Sequence, residues 1–252
     1  QGRNIASLHA LAGRAKLNGV SVLFSHSITP AHQDETHSQY EELLLKKLRE
    51  EVLVGCPVTS DATNDSLKTA QIYTKASAIV CDFGLPFMPP KTILTDADVF
   101  VLKVCGKFHS ELHNDKDYGT NVPPIIVSLP PFSTVHAQAL TTLRFSGADL
   151  TRVVFNQVSL CQSDLDYWLD ILKSFPCSVC VDTWGYGATF NTTSTRAFAS
   201  DHELLDQVMA LVQAGLSSRI ILSLAIYCKI QQVAYGGCGY GYLQNMIAPA
   251  LH

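Results

Sequence analysis

The chain has 252 residues, 47% of them hydrophobic and 16% charged, a composition that supports one large core and excludes disorder and coiled coil. Its formal net charge is -4 with lysines and arginines scattered, which leaves no basic field for a nucleic-acid backbone or an anionic membrane. No apolar run approaches the ~20 residues needed to cross a bilayer, so the expectation is a soluble, intracellular protein with no membrane insertion and no nucleic-acid partner.

In chain order, the opening QGRNIASLHALAGRAKLNG reads as an amphipathic helix rather than a signal peptide. The chain starts on Gln1 without an initiator methionine, which points to part of a longer polypeptide. A short β-branched run at 20–24 predicts a strand, and SHSITPAHQDETH after it predicts a polar loop carrying His26, His32 and His37. YEELLLKKLREE, 40–51, has helical periodicity, and strands are predicted at 52–54 and 99–104. FHSELHND then reads as a solvated loop, although the i, i+4 spacing of His109 and His113 would suit a metal if the segment were helical.

Further along, 125–127, 152–155, 178–181 and 219–224 predict strands, and 136–147, 163–175 and 201–215 predict helices. Ser163 is a candidate N-cap, and Gly147 and Gly215 are candidate helix stops. Tyr167 and Trp168 share helical spacing with Leu165 and Leu169 and are expected to pack. The alternation of strand and helix predicts a parallel sheet, either a barrel or a doubly wound sheet.

The cysteines lie far apart except for Cys177 and Cys180, whose C-x-x-C spacing lacks the second ligand pair a zinc site needs. Buried thiols are expected there. The glycine-rich YGGCGYGY contains neither G-x-x-x-x-G-K-[ST] nor G-x-G-x-x-G, so it is not read as a nucleotide cradle. Ser128 lacks the flanking glycines of a nucleophile elbow.

Four blocks carry a resemblance: GADLTRVVFNQ at 147–157, VDTWG at 181–185, AGLSSRIILSLAI at 214–226 and YGGCGYGYLQNMIAPAL at 235–251. Together they resemble the sixth to eighth strand blocks and closing loop of the phosphotriesterase family of the amidohydrolase superfamily. Segments 121–131 and 99–105 fit the fifth and fourth strands more weakly. The resemblance implies a TIM-type (β/α)8 barrel forming a single domain over 1–252, with the first strand outside this segment and supplied by preceding residues or a neighbouring chain.

It also implies where the family's binuclear metal ligands should fall. The fifth-strand histidine falls on Ser128, the sixth-strand histidine on Gln157 and the eighth-strand aspartate on Ala225. Lys103 matches the bridging lysine that some members carry as a carbamate. Serine and glutamine are poor zinc ligands and alanine is none, so no metal and no other cofactor is expected. The resemblance then implies a degenerate, non-catalytic barrel serving as a binding or structural subunit with other protein subunits, as a homo-oligomer or in a larger complex.

The alternative is a hydrolase of ester, lactone or phosphotriester substrates holding zinc or another divalent metal in an altered site. A lysine-dependent enzyme using Lys103 as a Schiff base is a further variant. Lys103 paired with Asp182 is the bland reading of the same residue. Asp182, Trp184 and Tyr235, with Lys103, are the candidate ligand-binding residues, Trp184 being expected to line the barrel mouth.

Overall fold

The computed structural model describes residues 25–28, 37–54, 56–57, 73–74, 76–84, 88–116, 118–119, 121–158, 164–186, 198–226 and 228–251. The elements outside that set, the expected N-terminal helix and the strand at 20–24, lie beyond the described residues, as does His32. The strands are β1 Ser25–Ile28, β2 Cys56–Pro57, β3 Tyr73–Thr74, β4 Ala78–Asp82, β5 Ile125–Ser128, β6 Val153–Asn156, β7 Ser178–Val181 and β8 Ile220–Leu222. The main helices are α1 His37–Arg49, α2 Asp96–His113, α3 His136–Phe145, α4 Leu165–Ser174 and α5 Asp201–Gln213.

Six strands form one parallel sheet in the order β1-β4-β5-β6-β7-β8, and β2 pairs with β3 antiparallel. Helices α2 to α5 connect consecutive parallel strands from β4 to β8, as crossover connections must. Phe155 on β6 meets His136 of α3 and Trp168 of α4 with ring centroids 4.8 and 6.3 Å apart. Val153, Phe155, Val179 and Val181 are fully buried, and alternation turns Val154, Asn156, Cys180 and Asp182 to the opposite, inward face. Burying a side chain the size of Phe155 stabilises the fold by ~1.5–3 kcal/mol.

Three sequence expectations are corrected here. Residues 99–104 belong to α2, not to a strand. Thr95 caps that helix: its Oγ1 accepts from the Asp98 amide at 3.2 Å, and the Asp98 carboxylate accepts from the Thr95 amide at 2.9 Å, a reciprocal cap. Val101, Leu102, Cys105, Phe108 and Leu112 are buried while Lys103 and Lys107 are exposed, so the apolar positions follow a helical rather than a strand period.

Residues 52–54 lie in a π-helical turn, Glu50–Val54, that extends α1. Val52 prolongs the buried stripe of Leu44, Leu45 and Leu48. The sheet strand that precedes β5 is instead β4, AIVCD, whose Ile79 and Cys81 face α2. His26 lies within β1 and His37 begins α1, so neither is in the expected loop.

Two arginines fasten the amino ends of the sheet in the same way. Arg152 donates to the Val122 carbonyl at 2.7 Å, and Arg219 donates to the Phe175 carbonyl at 2.8 Å. Each follows a helix closed by a left-handed glycine, Gly147 with φ 91° and Gly215 with φ 80°. The Gly-to-Arg spacing is thus a device for entering β6 and β8.

Candidate functional site

The carboxyl ends of the strands bring together Asp82, Ser128, Asn156, Gln157, Asp182 and Ala225. Asp82 pairs in register with Ser128, and Ser128 with Asn156. Because Cys81 faces α2 and Phe155 faces α3 and α4, Asp82, Ser128 and Asn156 share the inward face.

Gln157 adopts the left-handed region with φ 57°, a conformation that costs a non-glycine residue on the order of 1 kcal/mol. Its amide donates to Asp182 Oδ2 at 3.1 Å, and its Nε2 donates to the Gly84 carbonyl at 3.4 Å. Gly84 in turn donates its amide to Asp82 Oδ1 at 3.3 Å. These bonds tie the ends of β4, β6 and β7 into one unit.

Asp182 is 4% exposed. Burial pushes its carboxyl up to about 7, against which the hydrogen bond from the Gln157 amide works. Among the described residues its Oδ1, buried, has no hydrogen-bond partner, nor has Asn156 Oδ1. The Asp182 carbonyl accepts from the Ala225 amide at 3.0 Å. Ala225 offers only a methyl group, and its carbonyl accepts from Tyr186 Oη and from Gln231 Nε2. Burial pushes the Tyr186 phenol up to about 12.

Lys103 is not in this site. It lies on the solvent side of α2, lining an outer groove with Glu41, Phe100, Lys107 and Phe145. Its expected pairing with Asp182, its carbamate and its Schiff base all lose their geometric basis. Asp82, at the end of β4 and paired with Ser128 on β5, stands at the strand end where Lys103 was expected. The signal for it was the apolar run of β4 ending in Asp-Phe-Gly.

Trp184 does not line the mouth: it is 4% exposed, packs in the core and donates from Nε1 to the Val181 carbonyl at 3.0 Å. Tyr235 is 53% exposed in the short turn Val233–Tyr235 of the loop after β8. That loop depends on its glycines. A Cβ on Gly237 would lie 2.2 Å from the backbone carbon of Gln231, and Gly236 and Gly239 have φ of 90° and 71°. The loops after β7 and β8 are joined at Asp201, which accepts from the Gly185 amide and from Tyr242 Oη.

His109 and His113 are corrected from loop to helix: both are on α2, with ring centroids 5.0 Å apart. His109 is fully buried, and desolvation followed by the neighbouring His113 lowers it to about 4. They stand beside Asp149, just ahead of β6, at the amino rather than the carboxyl end of the sheet. Cys177 and Cys180 are buried free thiols, pushed up by burial to about 11 and about 12. Among the described residues no group of three His, Cys, Asp or Glu side chains is placed to hold a metal ion. Ser128, Gln157 and Ala225 do not fit the divalent pair that a hydrolytic centre of the expected type requires.

A sequence model of the Phosphotriesterase family matches residues 113–252. The phosphotriesterase homology protein of Escherichia coli K12 is 32% identical over 120 residues, covering 48% of this chain and 37% of that protein. The N-acetyltaurine hydrolase of Xenopus tropicalis is 24% identical over 250 residues, covering 99% of this chain and 63% of that protein. The chain therefore spans well under two thirds of many of the relatives it matches, 32% in the case of the Dictyostelium discoideum N-acetyltaurine hydrolase.

Among solved structures, the Escherichia coli phosphotriesterase homology protein complexed with phosphate superposes with a TM-score of 0.67 at 22% identity, over 96% of this chain and 70% of that one. A resiniferatoxin-binding protein from Rhodobacter sphaeroides gives 0.73 at 18% identity, over 99% and 61%. The six parallel strands are thus part of a TIM-type α/β barrel. The family model matches more than half of this chain, which therefore belongs to the Phosphotriesterase family.

Proposed function

We propose that this chain is a non-catalytic member of the family, whose barrel is retained as a binding or structural subunit within a larger protein or a complex with other subunits. The observation that carries this reading is the set of side chains at three strand ends: the Ser128 hydroxyl, the Gln157 amide and the Ala225 methyl. A bridging water activated by two cations needs nitrogen and carboxylate ligands at such positions. Scaffold positions around them are kept, with Gly147, Gly215, Arg152 and Arg219 performing their structural roles.

The test is metal analysis of the purified full-length protein combined with hydrolysis assays on N-acetyltaurine, lactones and phosphotriesters. The expected result is well under one equivalent of zinc and no turnover; two equivalents with turnover would refute the proposal. A second reading, a hydrolase with an altered metal site, draws support from the Asp82 and Asp182 carboxyls at the strand ends and from the relatives named as hydrolases.

A further inference from the structure

The inward face of the strand ends is rich in acceptors. Asp82, Asn156 and Asp182 project from β4, β6 and β7 or just beyond them, and Asn156 Oδ1 and Asp182 Oδ1 are buried with no hydrogen-bond partner among the described residues. Leaving a buried acceptor unsatisfied costs about 1–3 kcal/mol, so two on adjoining strands, without partners among the described residues, make a place where a donor from outside the chain would gain bonds. Asp182 is 4% exposed, and the hydrogen bond from the Gln157 amide to its Oδ2 holds the carboxyl group over the end of β6. Among the described residues no ion pair reaches Asp82 or Asp182; Lys91 is engaged with Asp98 at 2.6 Å and Lys107 with Glu41 at 2.8 Å.

The spacing decides what kind of donor fits. Neighbouring strands lie ~4.8 Å apart, so Asp82 and Asn156, on either side of Ser128, are separated by roughly 10 Å. A hard cation gathers six or more oxygens at about 2.3–2.6 Å, more than Asp82, Asn156 and Asp182 provide between them, two of theirs being already bonded to the Gly84 and Gln157 amides. A planar or tetrahedral nitrogen cation works differently. It reaches each acceptor through its own N–H at about 2.7–3.2 Å, and a guanidinium offers five such donors in a fixed fork when it carries one substituent.

We propose that the carboxyl ends of β4, β6 and β7 bind a small organic cation, a guanidinium or primary ammonium group, with Asn156 and Asp182 accepting its N–H bonds and Asp82 supplying the second negative charge. This assignment rests on the non-hydrolytic reading above, since a metal pair would occupy the same face. The cation takes the place of the metals as the positive charge of the site.

The test uses the full-length protein at pH 8 after its metal content has been measured. Methylguanidinium chloride is titrated by calorimetry against an equal ionic strength of sodium chloride, with methylurea as the neutral analogue of the same shape. Saturable binding of methylguanidinium at least tenfold tighter than methylurea is expected. Asp182→Asn should weaken it at least tenfold and Asn156→Leu should weaken it several-fold, with both variants retaining the cooperative thermal transition. Equal binding of methylurea, or unchanged affinity in Asp182→Asn, would overturn the assignment. Metal-free protein that ignores methylguanidinium defeats this inference alone, whereas two bound zinc ions with turnover defeat the non-hydrolytic reading and this inference together.

Discussion

Replacing Asp182 with asparagine should stabilise the protein in mild alkali. The carboxyl rises from its ordinary 3.8 to about 7 because burial penalises the charged form. A group with a raised folded value binds its proton more tightly in the folded chain. Its contribution is fully present below 3.8 and is lost as pH climbs through 7. Roughly three pH units at ~1.4 kcal/mol each place a cost on the order of 4 kcal/mol on the folded state at pH 8. Asparagine keeps the shape and the acceptor for the Gln157 amide but brings an NH2 whose partner is not assured, which offsets about 1–3 kcal/mol. Urea unfolding at pH 5 and pH 8 measures the balance. The stability difference, variant minus parent, should be about 2–3 kcal/mol more favourable at pH 8 than at pH 5. A difference independent of pH, or one that becomes less favourable at pH 8, would refute the description of Asp182 as a desolvated carboxyl.

The buried histidines act in the opposite direction. Burial holds His136 at about 3 and His109 at about 4, below the usual 6.5, so both are neutral when folded and take up protons on unfolding. Their contribution is complete above 6.5 and falls as the pH drops toward 4, by up to ~1.4 kcal/mol per pH unit for each. His136→Phe should flatten that acid slope in a pH series of urea unfolding curves. Phe155→Ala, which empties the space between His136 and Trp168, should cost about 3–5 kcal/mol by chemical denaturation. Gly237→Ala, whose methyl would meet the Gln231 backbone, should expose the loop after β8 to limited proteolysis while the sheet stays folded. Lys103→Ala, on the outer face of α2, should change stability by less than about 0.5 kcal/mol and leave any ligand binding intact.

The later half of the chain was legible because its elements agree at every level. The strands at 125–127 and 178–181 and the helices from 136 and 201 have local periods and glycine stops that point the same way, and the structure places them with end shifts of a residue or two. Earlier, the apolar run at 99–104 misled because a short hydrophobic stretch has no decisive period. The helix declares itself only when Thr95, Asp98, Phe108 and Leu112 are read together. The error moved the fourth strand onto Lys103 and hid Asp82, so a misplaced element became a misplaced site residue. Ser128, Gln157 and Ala225 were located from their sequence blocks, but the orphaned oxygens of Asn156 and Asp182 depend on which way the sheet turns each side chain and what lies across it.

Asp201 gives the molecule a mechanical property. Its carboxylate holds the Gly185 amide on one oxygen and the Tyr242 hydroxyl on the other, while its own residue opens α5. One side chain thus couples two loops of the barrel rim to a helix of the outer layer, so the three should open and close as a single cooperative unit. Whatever settles against either loop will be registered at the start of α5, and native-state hydrogen exchange would show the amides of Gly185, Tyr242 and Glu203 slowing together.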